Sequence, residues 1–415
     1  MSEPTRIAVP RAFMLMVGSF VAIAPLATDF YLPVLPSMAT DLHASASQTQ
    51  LIITAVLLGM AFGQLVGGPL SDQRGRKGTL IAGLVAFVVT TAASAFAPNI
   101  GVLIVIRLLS GLAVALIFVV SRAMVADAYP GDEAARGFAL LGAITGITPV
   151  LAPLVGGALA LVMGWRGIFL VLAGIGVVIL IIALAFLPET MPVHLRQKSG
   201  IGHGLRDLGA CLGSRAFMTY VCTLAAAGGI LFGYISASPF VLEGSFGMST
   251  SGFSIVFAVN SVGIVIVAFV ARRLIPRFGP ERLLWAGQVQ ALLGTSLALV
   301  GLLAHALALV LLGLFVAIGS MGMVFATSTA QGIRRAPVRA GSASALLGIS
   351  GFLVGGLLGP LGGLGSVAFG LLIVGFASVG ILLHLVLPPR GARDDASTAR
   401  DDLSVTDSPA APTEA

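Results

Sequence analysis

Twelve stretches of mostly apolar residues follow one another along the chain, separated by short polar breaks. A spanning helix needs about 20 such residues, because the bilayer interior holds no water to bond the backbone and a helix bonds it internally. The pattern predicts helices over approximately Phe13 to Pro33, Gln50 to Leu70, Gly78 to Ala97, Ile100 to Val120, Gly137 to Met163 and Gly167 to Leu187. A second set follows over Phe217 to Phe240, Gly252 to Val270, Leu283 to Leu303, Ala306 to Thr327, Ser342 to Leu364 and Val367 to Leu387. The longest interior polar break lies between the two sets. The expected organisation is a six-helix bundle in residues 1–187, a cytoplasmic linker in 188–215, a second six-helix bundle in 216–387 and a disordered tail in 388–415. That tail turns to Asp, Ser, Thr, Pro and Ala and has too little apolar surface to order itself.

Composition removes the competing classes. Hydrophobic residues make up 57% of the 415 and charged residues 10%, with 53 glycines and a mean hydropathy of +1.04. A soluble domain carries about a quarter of its residues charged, so the bilayer is the expected solvent. Arg6 and Arg11 precede the first run, and Ala22-Ile23-Ala24 offers the small residues of a signal cleavage site. The run is longer than a signal core and passes directly into Asp29-Phe30-Tyr31-Leu32-Pro33, so it is expected to remain as a span.

The net charge of +6 would point to nucleic acid in a soluble protein, but the 23 basic residues sit in short clusters between spans. With the N-terminus inside, all of them except Arg107 and Arg166 fall in segments on the cytoplasmic side. This asymmetry predicts an even number of spans, both termini in the cytoplasm and a multi-pass protein of the cytoplasmic membrane. No nucleic-acid partner is expected. Cys211 and Cys222 form neither a metal-binding spacing nor a disulfide framework, and the five histidines do not cluster, so neither a metal nor a cofactor is expected.

The halves repeat one another. Gly68-Pro69-Leu70-Ser71-Asp72-Gln73-Arg74-Gly75-Arg76-Lys77, between spans two and three, has a degraded echo at Arg272 to Arg282, where Arg277-Phe278-Gly279 matches Gln73-Arg74-Gly75. Gly146 to Gly157 in span five is likewise echoed by Gly351 to Gly363 in span eleven. Two pseudo-symmetric six-helix bundles around a central cavity are the arrangement of many secondary transporters. The fold class expected is therefore all-α integral membrane with twelve transmembrane helices.

Asp29 is the one acidic residue well inside an apolar run, and Arg107 the one cation deep in a span. An ionised group there costs about 2.5–3.5 kcal/mol on insertion scales, so Asp29 should face a cavity or carry a proton. It is expected to couple transport to protons or to recognise a cation. Counted from Arg11 along a straight helix it lies about 27 Å in, nearer the outer mouth than the midplane. Arg107 needs a carboxylate, carbonyls or water for its guanidinium and is too deep to snorkel. Tyr31, Tyr234, Ser236, Asn260 and Gln290 are polar or amphipathic groups within spans and are candidates, with Asp29, for the substrate cavity; helix-to-helix hydrogen bonding is the alternative for each. The glycines at four-residue spacing, Gly59, Gly63 and Gly67 and again Gly351, Gly355 and Gly359, are expected to let helices approach closely.

The run Gly68-x-Leu70-x-Asp72-x-x-Gly75-Arg76-Lys77 resembles the loop motif of the major facilitator superfamily, and Arg107 with Gly111 resembles that superfamily's span-four motif. Pro149, Pro153, Gly156 and Gly157 are similar to the span-five motif of its drug/proton antiporters, with Ala152 in place of a Gly. Asp29-Phe30-Tyr31-Leu32-Pro33-Val34-Leu35-Pro36 and Tyr234-Ile235-Ser236-Ala237-Ser238-Pro239-Phe240 resemble the Bcr/CflA branch of bicyclomycin and chloramphenicol-type exporters. The resemblance implies proton-coupled efflux of small, largely apolar drugs by a monomer. It also implies a gating loop at Gly68, Asp72, Arg74, Gly75, Arg76 and Lys77, an antiporter motif at Gly146, Pro149, Pro153, Gly156 and Gly157, and an Arg107 that packs against that motif and, with Asp29, serves proton coupling by relaying the protonation state.

Three other functions are weighed. An importer of sugars or organic acids on the same fold would be expected to carry several cations in its spans if its cargo were anionic, and only Arg107 is present. An intramembrane enzyme needs paired catalytic groups at depth, and no GxSxG, HExxH or GxGxxG pattern occurs. An ATP-driven pump is disfavoured by the lack of a phosphate-binding loop.

Overall fold

The computed structural model describes residues 12–129, 131–192, 196, 209–337 and 340–386, and among these every element is helical. Among the described residues, twelve helices are long and apolar enough to cross a membrane. In the first half they are α1 (Phe13–Asp41), α2 (Ala46–Arg74), α3 (Arg76–Ala95), α4 (Ile100–Ala128), α5 (Gly131–Ala160) and α6 (Trp165–Phe186). In the second half they are α7 (Arg215–Ser245), α8 (Thr250–Phe278), α9 (Pro280–Leu303), α10 (Leu307–Arg334), α11 (Ala340–Leu358, continued by a 3-10 turn at Gly359–Leu364) and α12 (Ser366–Val386). The expected tail and most of the expected linker, with its His194 and His203, lie outside the described residues.

Local chemistry sets the helix starts. Ser45 caps α2 through the amide of Gln48, whose side chain returns the bond to the Ser45 amide at 2.9 Å, a reciprocal capping box. Asn99, Ser214 and Ser249 cap α4, α7 and α8 in a one-sided way, each taking one of the amides a helix start leaves free. Gly75 (φ +98°) ends α2 and Gly279 (φ +78°) ends α8, so the repeated glycine of the two echoing segments occupies a backbone region that favours glycine in both halves.

Four helices outrun their apolar stretches at the same end. α2 reaches Arg74, α4 Ala128, α8 Phe278 and α10 Arg334. The expected gating loop is thus mostly helix: Gly68 to Arg74 form the last turns of α2, Gly75 alone makes the turn, and Arg76 opens α3.

Packing repeats between the halves. α1 contacts α4, α5 and α6, as α7 contacts α10, α11 and α12. The pairs α2–α4, α3–α4 and α3–α6 recur as α8–α10, α9–α10 and α9–α12. Two pairs carry most of the interface between halves, α5 with α8 and α2 with α11, and each is the counterpart of the other under exchange of the halves. Gly157 of α5 receives the Ser254 side chain of α8, while Gly363 after α11 receives Ser47 of α2. Both contacts lie at the end of the molecule that carries the α1–α2 and α7–α8 turns, and there the two bundles close on each other. Large apolar side chains such as Phe62, Val89, Ile181 and Leu371 are exposed on the outer surface, as suits helices surrounded by acyl chains.

Candidate functional site

α1 is a broken helix. Its first segment, Phe13–Asp29, gives way to a turn and a 3-10 stretch at Leu32–Val34 before the chain resumes at Leu35–Asp41. Pro33 and Pro36 carry no amide hydrogen, so the regular ladder cannot run through them. Such breaks are tolerated within a membrane only where protein or a water-filled cavity surrounds them, and this one is buried from Ala27 to Leu35. Because the span continues to Asp41, Asp29 is the seventeenth of its 29 residues, which places the carboxylate farther from the mouth than a span ending at Pro33 predicts.

Asp29 is 3% exposed. Its Oδ1 accepts a hydrogen bond from Thr28 Oγ1 at 2.8 Å, and it lies within electrostatic reach of Tyr31 and of Tyr234 on α7. Tyr31 stands between the two in-span charges. Its ring lies under the Arg107 guanidinium at 4.7 Å and beside Phe169 of α6 at 5.2 Å, while its hydroxyl has no hydrogen-bond partner. Across the bundle boundary Asn260 Nδ2 of α8 donates to Tyr234 Oη at 2.8 Å, and the Tyr234 ring stacks on Phe257 at 5.4 Å. Asp29, Tyr31, Tyr234 and Asn260 are thus all buried around the α1 break, and two of the four belong to the second bundle.

Arg107 is fully buried and its terminal nitrogens are engaged by other means than an acid, while its Nε has no partner among the described residues. It donates to the backbone carbonyl of Ala27 and to Ser110 Oγ, and its guanidinium lies over the rings of Tyr31 and Phe169, at 5.3 Å for the latter. Cation–π contact in a desolvated site is worth about 2 kcal/mol, enough to offset part of the burial cost. The resemblance implies packing against the span-five motif; the contacts seen instead are to α1 and α6.

That motif does touch the break. A Cβ built on Gly156 would overlap the carbonyl oxygen of Phe30, and one on Gly157 would overlap Ser254. The adjacent glycines therefore hold α5 against α1 on one side and α8 on the other. The Pro149 carbonyl accepts from Ser261 of α8 at 3.5 Å, and Pro153 lies inside the helix. Gly146 is different: a Cβ there would make an ordinary contact with Val265 at 3.5 Å.

Two expected cavity residues lie elsewhere. Ser236 donates to the Gly233 carbonyl at 3.3 Å and faces Gly359 of its own bundle. Gln290 donates to the Val316 carbonyl of α10 at 3.1 Å, tying two helices of one bundle. The helix-to-helix alternative describes Gln290, whereas the Ser236 hydrogen bond stays within α7.

At the opposite end, Arg76 gathers the motif of α2. It pairs with Asp72 and, at 2.8 Å, with Asp127 of α4, and it donates to Ser71 Oγ at 2.6 Å. Arg74 is exposed and Gly68 has nothing near its missing side chain. Glu189, which sequence reasoning did not single out, accepts from the amides of Arg76 at 2.8 Å and Lys77 at 3.3 Å, a carboxylate on the positive end of α3. Arg196 joins it at 3.8 Å. The sequence signal for Asp127 and Glu189 was only their acidity beside a span end, which many residues share.

Two packed six-helix halves with a broken, buried, charged first helix between them define a membrane transporter, not an enzyme. The family model described as Major Facilitator Superfamily matches residues 15–360, and the chain belongs to that superfamily. It is 36% identical over 356 residues to the uncharacterized MFS-type transporter YdgK of Bacillus subtilis, covering 85% of this chain and 89% of the relative. It is 30% identical over 393 residues to multidrug resistance protein MdtL of Klebsiella pneumoniae (93% and 98% covered). A bicyclomycin resistance protein homolog of Haemophilus influenzae is 27% identical over 350 residues (84% and 88%). These relatives agree with the Bcr/CflA resemblance of the span-one and span-seven segments. Among solved structures, the nucleoside transporter NupG superposes with a TM-score of 0.70 at 12% identity over 90% of this chain and 98% of that one. A D-xylose-proton symporter does so at 0.71 and 15%, over 91% and 98%. At such identity these two bear on the fold alone.

Proposed function

We propose that this transporter exports small, largely apolar drugs in exchange for protons, by alternating access across the cytoplasmic membrane, as a monomer with both termini in the cytoplasm. The observation that carries the reading is Asp29, a carboxylate buried at the break of α1, whose 3-10 stretch packs against α7 and α8 of the other bundle. A charge there is costly, so the site gains free energy by taking up a proton or a ligand that shields the carboxylate. A proton or drug shifts the balance between inward- and outward-facing states only by binding them unequally, and a group between the bundles is placed to do so. Tyr31 and Tyr234 offer aromatic faces for the drug, and Asn260 a polar contact. The motif at Gly68, Asp72, Arg74, Gly75, Arg76 and Lys77 steadies the inner ends as the bundles rock, and residues 188–215 join them. Bicyclomycin resistance and multidrug resistance are the roles in the names of the relatives, which supports export over import.

The test is proton release from detergent-solubilised protein on addition of bicyclomycin or chloramphenicol, run beside drug efflux in proteoliposomes. The expected outcome is proton release by the native chain and none by Asp29→Asn, with unchanged membrane insertion. Efflux by Asp29→Asn equal to native would overturn the assignment.

A further inference from the structure

The turns that join α2 to α3 and α8 to α9 align glycine on glycine, Gly75 on Gly279. On that alignment Arg74, Arg76 and Lys77 of the first bundle fall opposite Phe278, Pro280 and Glu281 of the second. The exchange also runs the other way. Gly68, Pro69, Gln73 and Gly78 stand in the first bundle where the second has Arg272, Arg273, Arg277 and Arg282. The basic residues of the two turns thus occupy different places in the same fold.

Their surroundings differ as well. Arg76 is buried and held by Asp72 and Asp127. Arg272, Arg273, Arg277 and Arg282 are all exposed, and none has an ion pair or hydrogen bond among the described residues. Glu281, the one acid between Arg272 and Arg282, is taken up by Tyr220, Gln331 and Arg335.

The arginines also continue surfaces that face lipid. On α8 the exposed side chains Val259, Val262, Ile266 and Phe269 follow one another at three- and four-residue steps, and Arg273 and Arg277 carry that stripe on. On α9 Arg282 heads the exposed stripe Ala286, Val289 and Leu293. The matching stripe of α3, Ala82, Val85 and Val89, is exposed too but is headed by Gly78. The apolar stretches end at Val270 and begin again at Leu283, so the four guanidinium groups flank the acyl-chain layer. Arg273 lies over the ring of the exposed Phe269 at 4.6 Å, and Arg277 over that of Phe278 at 5.3 Å. Stacking fixes the plane of each cation and leaves its N–H edge free to donate.

We propose that this arginine rim is a binding site for an anionic phospholipid, placed on the second bundle and without a counterpart on the first. A guanidinium fork meets phosphate oxygens two at a time, and basic clusters at the end of a span are the usual partners of anionic headgroups. Orientation of the chain does not call for this arrangement, since a basic residue anywhere in the turn serves that purpose. With no acid left to meet a choline or ethanolamine amine, the rim favours a lipid of net negative charge. Free phosphate offers the same oxygens but no acyl chains for Phe269 and Val289.

Lipid binding to the full chain in detergent, followed by native mass spectrometry, tests the site with phosphatidylglycerol and phosphatidylcholine of the same acyl chains. The unaltered chain is expected to bind the first phosphatidylglycerol roughly tenfold more tightly than phosphatidylcholine. The triple variant Arg273→Gln, Arg277→Gln, Arg282→Gln is expected to lose that preference while keeping its affinity for phosphatidylcholine and its unfolding temperature in lipid-free detergent. Arg282→Gln alone is expected to lose part of it, which keeps the test open should the triple variant fail to fold. Equal affinity for the two lipids in the unaltered chain would overturn the proposal without any variant. A preference that survives in the folded triple variant would place the lipid elsewhere, and displacement of phosphatidylglycerol by an equal concentration of inorganic phosphate would make the ligand a free anion. A preference seen only after removal of residues 388–415 would assign the rim to Asp394, Asp395, Asp401 and Asp402 of the chain itself. Each of these three results overturns the lipid site.

Discussion

Gly156 of α5 rests on the carbonyl oxygen of Phe30, at the point where α1 loses its regular helix. No side chain fits between them. Gly156→Ala is therefore expected to push α5 off the break, costing about 1–3 kcal/mol as overpacking and displacing Asp29 from its setting. Gly146→Ala, in the same motif, meets only an ordinary contact with Val265 and is expected to be close to neutral. Thermal unfolding in detergent and drug efflux, measured on both variants, distinguish them; equal losses would mean that the motif acts through helix flexibility and not through this contact.

Arg107 and Tyr31 form one unit, with the guanidinium over the ring and the phenol hydroxyl poorly satisfied among the described residues. Removing the hydroxyl leaves the ring face under the guanidinium in place. Tyr31→Phe is expected to leave stability unchanged or raise it by up to about 1 kcal/mol, since an unsatisfied buried group is lost. If the hydroxyl meets the drug, KM for efflux rises in the same variant. Arg107→Lys is expected to lower efflux roughly tenfold, because an ammonium cannot span the Ala27 carbonyl, Ser110 and two ring faces together. Native efflux from Arg107→Lys would show that charge alone is needed.

The membrane spans were legible because the bilayer leaves the backbone only one solution for a long apolar run, and the result is twelve helices close to the predicted positions. The matching Gly75 and Gly279 were legible for a similar local reason, a turn that favours glycine. Helix ends on the side of the α2–α3 turn were not. Hydropathy reads the thickness of the apolar layer, while Ser71 to Arg74 and Ser121 to Ala128 continue as helix beyond it, carried by capping and ion pairs. The contacts of Arg107 and Glu189 were hidden because they join residues 80 and 113 positions apart, and nothing in local sequence encodes such pairings. Gln290 shows how a polar residue in a span can serve helix packing as readily as a ligand.

Thr54 of α2 donates to the Gly356 carbonyl of α11 at 2.7 Å, a buried hydrogen bond between the bundles. The bond must break if α2 and α11 part at this end. Thr54→Val keeps the shape and removes the donor, so it is expected to weaken this closed arrangement by about 1 kcal/mol, roughly fivefold in the equilibrium. Spin labels at the exposed Thr40 and Ser245, in a chain with Cys211 and Cys222 replaced, report the separation of α1 and α7 at that end. A longer-distance population that grows in Thr54→Val is the expected result; an unchanged distribution would mean that the bond adds nothing to closure.

The ends of the two bundles that carry the α2–α3 and α8–α9 turns use opposite charges for the same task. Arg76 at the start of α3 is held by carboxylates, Asp127 at the end of α4 and Asp72 on α2, whereas Glu281 at the start of α9 is held by Arg335 at the end of α10 with Tyr220 and Gln331. The echo that looks degraded in sequence is an inversion of polarity in structure. The two sites should respond differently to losing their cation. Arg76 serves two carboxylates at once, and its removal leaves Asp127, half-buried, without a countercharge; Arg76→Ala is expected to cost about 3 kcal/mol. Arg335→Ala leaves Glu281 with two neutral donors on the same oxygen and is expected to cost about 1 kcal/mol. Chemical or thermal unfolding of the purified variants gives both values side by side. Equal costs would show that the neutral donors around Glu281 contribute little, and a larger cost for Arg335 would reverse the assignment of which half depends more on its ion pair at this end.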